Sequence, residues 1–415
     1  MTYVRTRAPG AARGAASAAA ALLCTVVLCP PAAAEPEAAG QCTFPSKKYS
    51  GRPWALQRVL LDELWRQSTG EGVRVAVIDT GVDVKNPQLT RAVDAARGRN
   101  YLPVKDAEGK KVERGKANGT TDLVGHGTRV AGIIAARPSR GTGFVGLAPK
   151  ATIIPVQQND AEGHGTARTL AQAIDYAVDA GADVINISQD TADAVKPAPE
   201  LEEAVNRALG RQRVIVASAG NDGLGGNVKR TYPASYEGVL AVAASDRNNE
   251  RAPFSQSGEF VGVAAPGVDM ISTVPGGGHC TDNGTSFAAP YAAGVAALIK
   301  AKHKDWTARQ ITTQIKQTAE RSVAGHDRLV GWGVVDPVRA LTEDDHPSET
   351  PAPTEGLTRA EAPTPADLSV GETSQQRTAR LATYVVLGAA VLLAGLGGTA
   401  VVARDARRRR HRRAP

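Results

Sequence analysis

The chain has 415 residues, 42% of them apolar, which suits one large folded domain with appendages and excludes a globally disordered or collagen-like chain. The net charge of +7 sits at the ends: residues 404–413 hold seven Arg against one Asp, and Arg5, Arg7 and Arg13 add three more charges, leaving about −2 between. That distribution argues against a nucleic-acid surface on the body, and the absence of any C-x-x-C pair excludes a structural zinc module.

In chain order, the basic residues 1–13 precede Ala15–Leu28, an apolar run of 14, and Ala32-Ala33-Ala34 offers an A-x-A cleavage site before Glu35. This is the order of a secretory signal peptide over residues 1–34, the alternative being an uncleaved anchor. Residues 35–69 form a short N-terminal extension. Val73–Ile78, Asp183–Ile187, Val214–Ala217 and Val239–Val242 are β-branched, apolar runs between turn signals and read as buried parallel strands. Thr166–Ala180 places Leu170, Ile174 and Val178 on one helical face, and Gly181 stops it. The alternation predicts a doubly wound α/β domain over residues 70–342, with its site beyond the carboxyl ends of the strands. Residues 343–380, rich in Pro, Thr, Glu and Ala, read as an extended, disordered tether. A transmembrane helix is predicted over 381–403, where Leu381–Val402 runs 22 residues without a charge, about 33 Å as a helix. The basic tail, 404–415, then stays cytoplasmic by the positive-inside rule, with an anionic-lipid contact as the reading of its Arg run.

Three short motifs carry chemistry. Asp79 follows a buried strand in Val-Ile-Asp-Thr-Gly. His126 stands between glycines in Gly125-His-Gly-Thr128, ahead of a run of small and aliphatic residues. Ser286 lies in Asn283-Gly-Thr-Ser-Phe-Ala-Ala-Pro290, where a helix N-terminus makes backbone N–H groups available to an anion. Singly, these are ordinary as a turn acid, a structural histidine and a helix cap. Together, in the order Asp, His, Ser, they suit a nucleophile whose hydroxyl proton passes to His126 while Asp79 fixes the imidazole. Asn221, in Ala-Gly-Asn after the strand at 214–217, supplies a donor for an oxyanion hole.

These four blocks resemble the subtilases, the subtilisin-like serine peptidases, over roughly residues 70–340. Gly331-Trp-Gly-Val-Val-Asp-Pro337 is similar to that family's terminal segment. The whole chain is similar to the mycosins, the membrane-anchored subtilases of type VII secretion systems. The resemblance implies a subtilisin-like three-layer α/β fold with a mostly parallel sheet, an extension wrapped round the catalytic domain, and protein or peptide substrates. A type VII membrane complex is the implied partner, with the catalytic domain outside the cell membrane. It also implies that the strand at Asn186, Ile187 and Ser188 pairs with an extended substrate, and that His164 borders the cleft. The Ser188-Gln189-Asp190 sequence departs from the usual continuation and leaves pocket specificity open.

The second Gly-His-Gly-Thr, 163–166, precedes an amphipathic helix and reads as a cap at Thr166. Gly141-x-Gly-x-x-Gly146 lacks the preceding strand that dinucleotide binding needs. Outside the cytoplasm, Cys42 and Cys280, the pair left after signal removal, are expected to form a disulfide, the alternative being two free thiols. No Asp/Asn cluster has calcium-loop spacing, so no metal and no other cofactor is expected. Two functions stand: a membrane-anchored endopeptidase, and a structural component that stabilises a secretion complex with little turnover.

Overall fold

Strands of a parallel sheet are covered on both faces, so their apolar residues run in succession rather than in alternation. The computed structural model of the chain describes residues 42–105, 109–160, 165–188, 198–226, 230–354, 372 and 374–411. Its elements are α1 (Trp54–Gln57), α2 (Leu61–Gln67), β1 (Arg74–Asp79), β2 (Arg99–Asn100), α3 (His126–Ala135), β3 (Thr152–Gln157), α4 (Ala167–Asp179), β4 (Val184–Ile187) and α5 (Pro199–Gly210). They continue with β5 (Val214–Ser218), β6 (Leu240–Ser245), β7 (Val263–Pro266), β8 (Met270–Thr273), β9 (His279–Asp282), α6 (Thr285–Lys302), α7 (Ala308–Gln317), α8 (Pro337–Thr342) and α9 (Ser374–His411).

Seven strands form one parallel sheet in the order β2-β3-β1-β4-β5-β6-β7, and β8 and β9 form an antiparallel hairpin. β1 lies between β3 and β4, with Asp79 opposite Gln157 and Ile78 opposite Ile187. The chain runs from β1 to β2 and β3 on one side and from β4 to β5 on the other, so Asp79, the last residue of β1, stands beside the switch point where such sheets hold their ligands. β3 is not among the strands read in the sequence, because Pro155 interrupts its apolar run. In the fold β2 pairs with Val156 and Gln157 alone, so the missing N–H of Pro155 deprives no β2 residue of a partner.

Side chains alternate across the sheet and build two cores. Val75, Val77, Val184 and Val216 face the layer of α3 and α6, whereas Ala76, Ile78, Ile185 and Ile187 face α4 and α5. α4 starts at its expected cap, where Thr166 Oγ1 accepts from the Thr169 N–H at 3.0 Å. Leu170 and Ile174 are buried, while Val178 is half-buried and Ala177 takes the core position. α6 differs in kind: every residue from Thr285 to Ile299 is buried. Its alanines at 288, 289, 292, 293, 296 and 297 let it lie close to its neighbours.

The extension is part of the first core. Leu56, Val59, Leu61 and Leu64 are buried there, and each contributes about 2 kcal/mol of apolar burial. Trp54 Nε1 donates to the Val268 carbonyl and Trp65 Nε1 to the Leu147 carbonyl, both at 2.9 Å. A disulfide joins Cys42 to Cys280. Residues 343–354, the start of the segment read as an extended, disordered tether, are held along α7 and the turn after it. Gln314 Nε2 donates to the Glu343 carbonyl at 2.8 Å, the Ala352 N–H donates to Gln317 Oε1 at 2.7 Å, and the Thr354 N–H donates to the Ala324 carbonyl at 2.7 Å. The chain divides into two units, Met1–Glu355 and Gly356–Pro415. In the second, Ser374–Arg409 is long and apolar enough to cross a membrane.

Candidate active site

Two glycines decide how His126 meets Asp79. Gly125, the residue before α3, has φ +83°, a left-handed conformation that a side chain disfavours. A Cβ on Gly127 would lie 2.1 Å from the Gly81 carbonyl oxygen and 3.0 Å from Asp79 Cβ, so the helix start approaches β1 only with glycine there. The result is a His126 Nδ1 to Asp79 Oδ1 distance of 2.7 Å. Asp79 is fully buried and the His126 side chain is 14% exposed. Thr80 donates to the same Oδ1 through its N–H at 2.8 Å, and its Oγ1 accepts from the Gly127 N–H at 3.0 Å. Asp79 Oδ2 has no partner among the described residues. Burial is the largest single influence on the imidazole and lowers its pKa. The charge of Asp79 and its hydrogen bond together outweigh that, so the His126 pKa stands above its ordinary value.

Asp122, four residues before His126, organises this corner. It is buried, and its carboxylate accepts from Thr80 Oγ1 (2.9 Å), Gly125 N–H (2.7 Å), Thr128 N–H (2.8 Å) and Thr128 Oγ1 (2.6 Å). Burial raises its pKa against these hydrogen bonds, and the Asp79 charge adds to the rise. Sequence reasoning passed it over; the signal was an acid in the same turn as the Gly-His-Gly triplet.

Ser286 is the second residue of α6, in the turn whose backbone N–H groups lack helical partners. Asn221 follows β5, and its Oδ1 accepts from the Thr285 N–H at 2.9 Å and Thr285 Oγ1 at 3.0 Å, which fixes the amide. A Cβ placed on Gly284 would lie 2.9 Å from Ser286 Oγ and 3.7 Å from Asn221 Nδ2, so hydroxyl and amide border the same space. The Phe287 ring lies 5.3 Å from the His126 ring, which brings the start of α6 against the start of α3. Asp79 at a strand end thus meets His126 at a helix start, and Ser286 at a second helix start borders one space with Asn221 at a strand–loop junction. Such a group can deprotonate a hydroxyl and hold an anion beside it.

The strand expected to pair with substrate needs correction. β4 lies between β1 and β5, with Asn186 opposite Val77 and Val216, and Ile187 opposite Ile78 and Ala217. Both edges are occupied, and Ile187 is buried in the second core, so neither residue offers a free edge. Asn186 is fully buried and donates from Nδ2 to Ser188 Oγ at 2.7 Å. Ser188 lies beyond the last paired residue of β4. Gln189, Asp190 and His164 lie outside the described residues.

Comparisons with known proteins agree with this geometry. Residues 70–333 match the Subtilase family, Peptidase S8. Subtilisin Savinase of Lederbergia lenta is 38% identical over 284 residues, 68% of this chain and 96% of its own length. Subtilisin E of Bacillus subtilis is 35% identical over 285 residues, 68% of this chain and 69% of its own. Among solved structures, the MycP3 protease from the type VII (ESX-3) secretion system is 34% identical with a TM-score of 0.61, covering 72% of this chain and 90% of that one. MycP1 from Mycobacterium smegmatis is 31% identical with a TM-score of 0.59, covering 76% and 90%. The chain belongs to the subtilase family of serine endopeptidases.

Proposed function

We propose that this chain is a membrane-anchored, extracytoplasmic endopeptidase of the mycosin kind, acting on proteins exported by a type VII secretion system. The observation that carries the chemistry is the 2.7 Å contact of His126 with Asp79, with Ser286 and Asn221 bordering one space nearby. Ser286 Oγ attacks the scissile carbonyl as His126 Nε2 takes its proton. Asp79 keeps the other ring nitrogen protonated and stabilises the imidazolium that forms. Asn221 Nδ2 and the backbone at the start of α6 receive the oxyanion. His126 returns the proton to the leaving amine, and water then repeats the sequence on the acyl-enzyme. Because the base must be neutral, activity falls as pH drops through a His126 pKa raised above the ordinary 6.5.

The cellular setting rests on the apolar α9 with its trailing Arg residues, on the signal-like residues 1–34, and on the likeness to secretion-system proteases. In this reading 381–403 cross the membrane and 404–415 are cytoplasmic. The test is to compare proteins exported by cells carrying the wild-type chain, Ser286→Ala, or no chain. Substrates processed in the wild type and uncut with Ser286→Ala support proteolysis as the role. Normal processing with Ser286→Ala contradicts it. A second reading, a structural component of the machinery, draws on α9, since peptide hydrolysis by itself has no need of an anchor. It predicts that Ser286→Ala supports export and that loss of the chain abolishes it.

A further inference from the structure

Arg129 lies one turn beyond His126 on α3, and its side chain is only 11% exposed. A guanidinium so enclosed needs partners. Nε donates to the Gly125 carbonyl at 3.1 Å, and Nη1 donates to Asp282 Oδ2 at the end of β9. Cζ stands 5.4 Å from the centre of the Phe287 ring, the ring that lies against His126. One side chain thus ties the start of the His126 helix to the strand leading into Ser286 and to the residue after it.

The charges around His126 come from every side. Asp79 closes β1, Asp122 lies in the loop before α3, Arg129 is on α3, and Asp282 on β9 reaches the site through Arg129; α6 presents the uncharged Ser286 and Phe287. Asp79 and Asp122 both favour the imidazolium, and Arg129 is the cation that opposes them. In a site this enclosed, salt screens such a charge little.

We propose that Arg129 is a positioning residue for the His126–Ser286 pair, and that its charge keeps His126 a free base at lower pH than the neighbouring carboxylates alone would allow. The Arg129 charge does act on the imidazole against Asp79. The proposal rests on the reading of His126 as the general base, and its test separates the two.

The full chain in detergent, with its disulfide intact, is labelled by a fluorophosphonate at a series of pH values, giving a plateau rate and the midpoint of the acid limb. Arg129→Gln loses the charge and keeps a donor for the Gly125 carbonyl; its midpoint is expected to rise by about half a pH unit. Asp282→Asn leaves the Arg129 charge uncompensated, and its midpoint is expected to fall. Arg129→Lys keeps the charge without the fork, so its midpoint stays while its plateau drops about tenfold. A purely structural role lowers plateaus and leaves midpoints in place. An unmoved midpoint in Arg129→Gln, or shifts of the same sign in Arg129→Gln and Asp282→Asn, overturns the proposal. Should Arg129→Gln fail to fold, the absence of a downward shift in Asp282→Asn overturns it alone. A wild-type chain that does not label contradicts the general-base reading instead. NMR titration of the His126 ring in the wild type and Asp282→Asn then still measures the charge effect directly.

Discussion

The helices on the two faces of the sheet obey different rules. α4 and α5 have a buried face, with Leu170, Ile174, Leu201 and Val205 in the second core, and an outer face of residues such as Gln172, Glu203 and Arg207. α3 and α6 are enclosed almost throughout and built largely of Gly, Ala and small polar residues. The first pair covers the sheet. The second pair delivers His126 and Ser286 to one place, and its small residues allow that approach. A change in the covering layer should therefore cost stability, and a change at the starts of α3 and α6 should cost chemistry.

The largest expected effect tests the second half of that contrast. Ser286→Ala or His126→Ala should lower kcat by about 10⁶, the size found for equivalent losses in a subtilisin, a member of this family. The melting temperature should stay within a few degrees; an equally large drop in stability would break the contrast. Asn221→Ala should lower kcat by about 10²–10³, a magnitude also known from a subtilisin, with KM little changed. A rise in KM with kcat intact would show that Asn221 binds substrate and transition state alike. On the other face, Leu170→Ala should cost about 2–5 kcal/mol in denaturant unfolding, with kcat per folded molecule unaltered. A matching loss of kcat would show that the covering layer is not separable from the site.

The smallest effect concerns the extension. His279 is buried, its Nδ1 accepts from the Tyr49 N–H at 3.1 Å, and its Nε2 contacts Gln88 Oε1 at 2.8 Å. Burial first, and Lys48 second, lower its pKa from 6.5 to about 4. The unfolded chain protonates this ring near pH 6.5 and the folded chain only near 4, so stability is lost as pH falls through that window. Linkage bounds the loss at about 3 kcal/mol. The protection factor of the Tyr49 amide, which removes the intrinsic pH dependence of exchange, should fall over the same range; a pH-independent protection factor there would contradict this coupling.

How much of this was legible depends on where each constraint lies. The approach of His126 to Asp79 could be read because close packing there demands glycine at 81, 125 and 127, and those residues mark the motifs. α4 could be read from its period, whereas α6, buried all round, has none. Asp122 has a local signal, its place just before Gly-His-Gly, but its contact with Thr80, which ties that turn to the end of β1, comes from another segment. β3 was hidden by Pro155, and the mistaken pairing role for Asn186 and Ile187 arose because a strand does not announce its neighbours. The composition of residues 343–354, rich in Pro, Thr and Glu, reads as an extended, disordered tether. The partners that hold them, Gln314, Gln317 and Arg321, belong to α7 and the turn after it.

The central claim is that Ser286 is a nucleophile activated by His126. Its most direct test is to treat the full, oxidised chain in detergent with a fluorophosphonate and locate the modified residue by peptide mass spectrometry. The account predicts modification of Ser286 in the wild type and none in His126→Ala or Ser286→Ala. A folded wild-type chain that is unmodified, or modified at another residue, would contradict it.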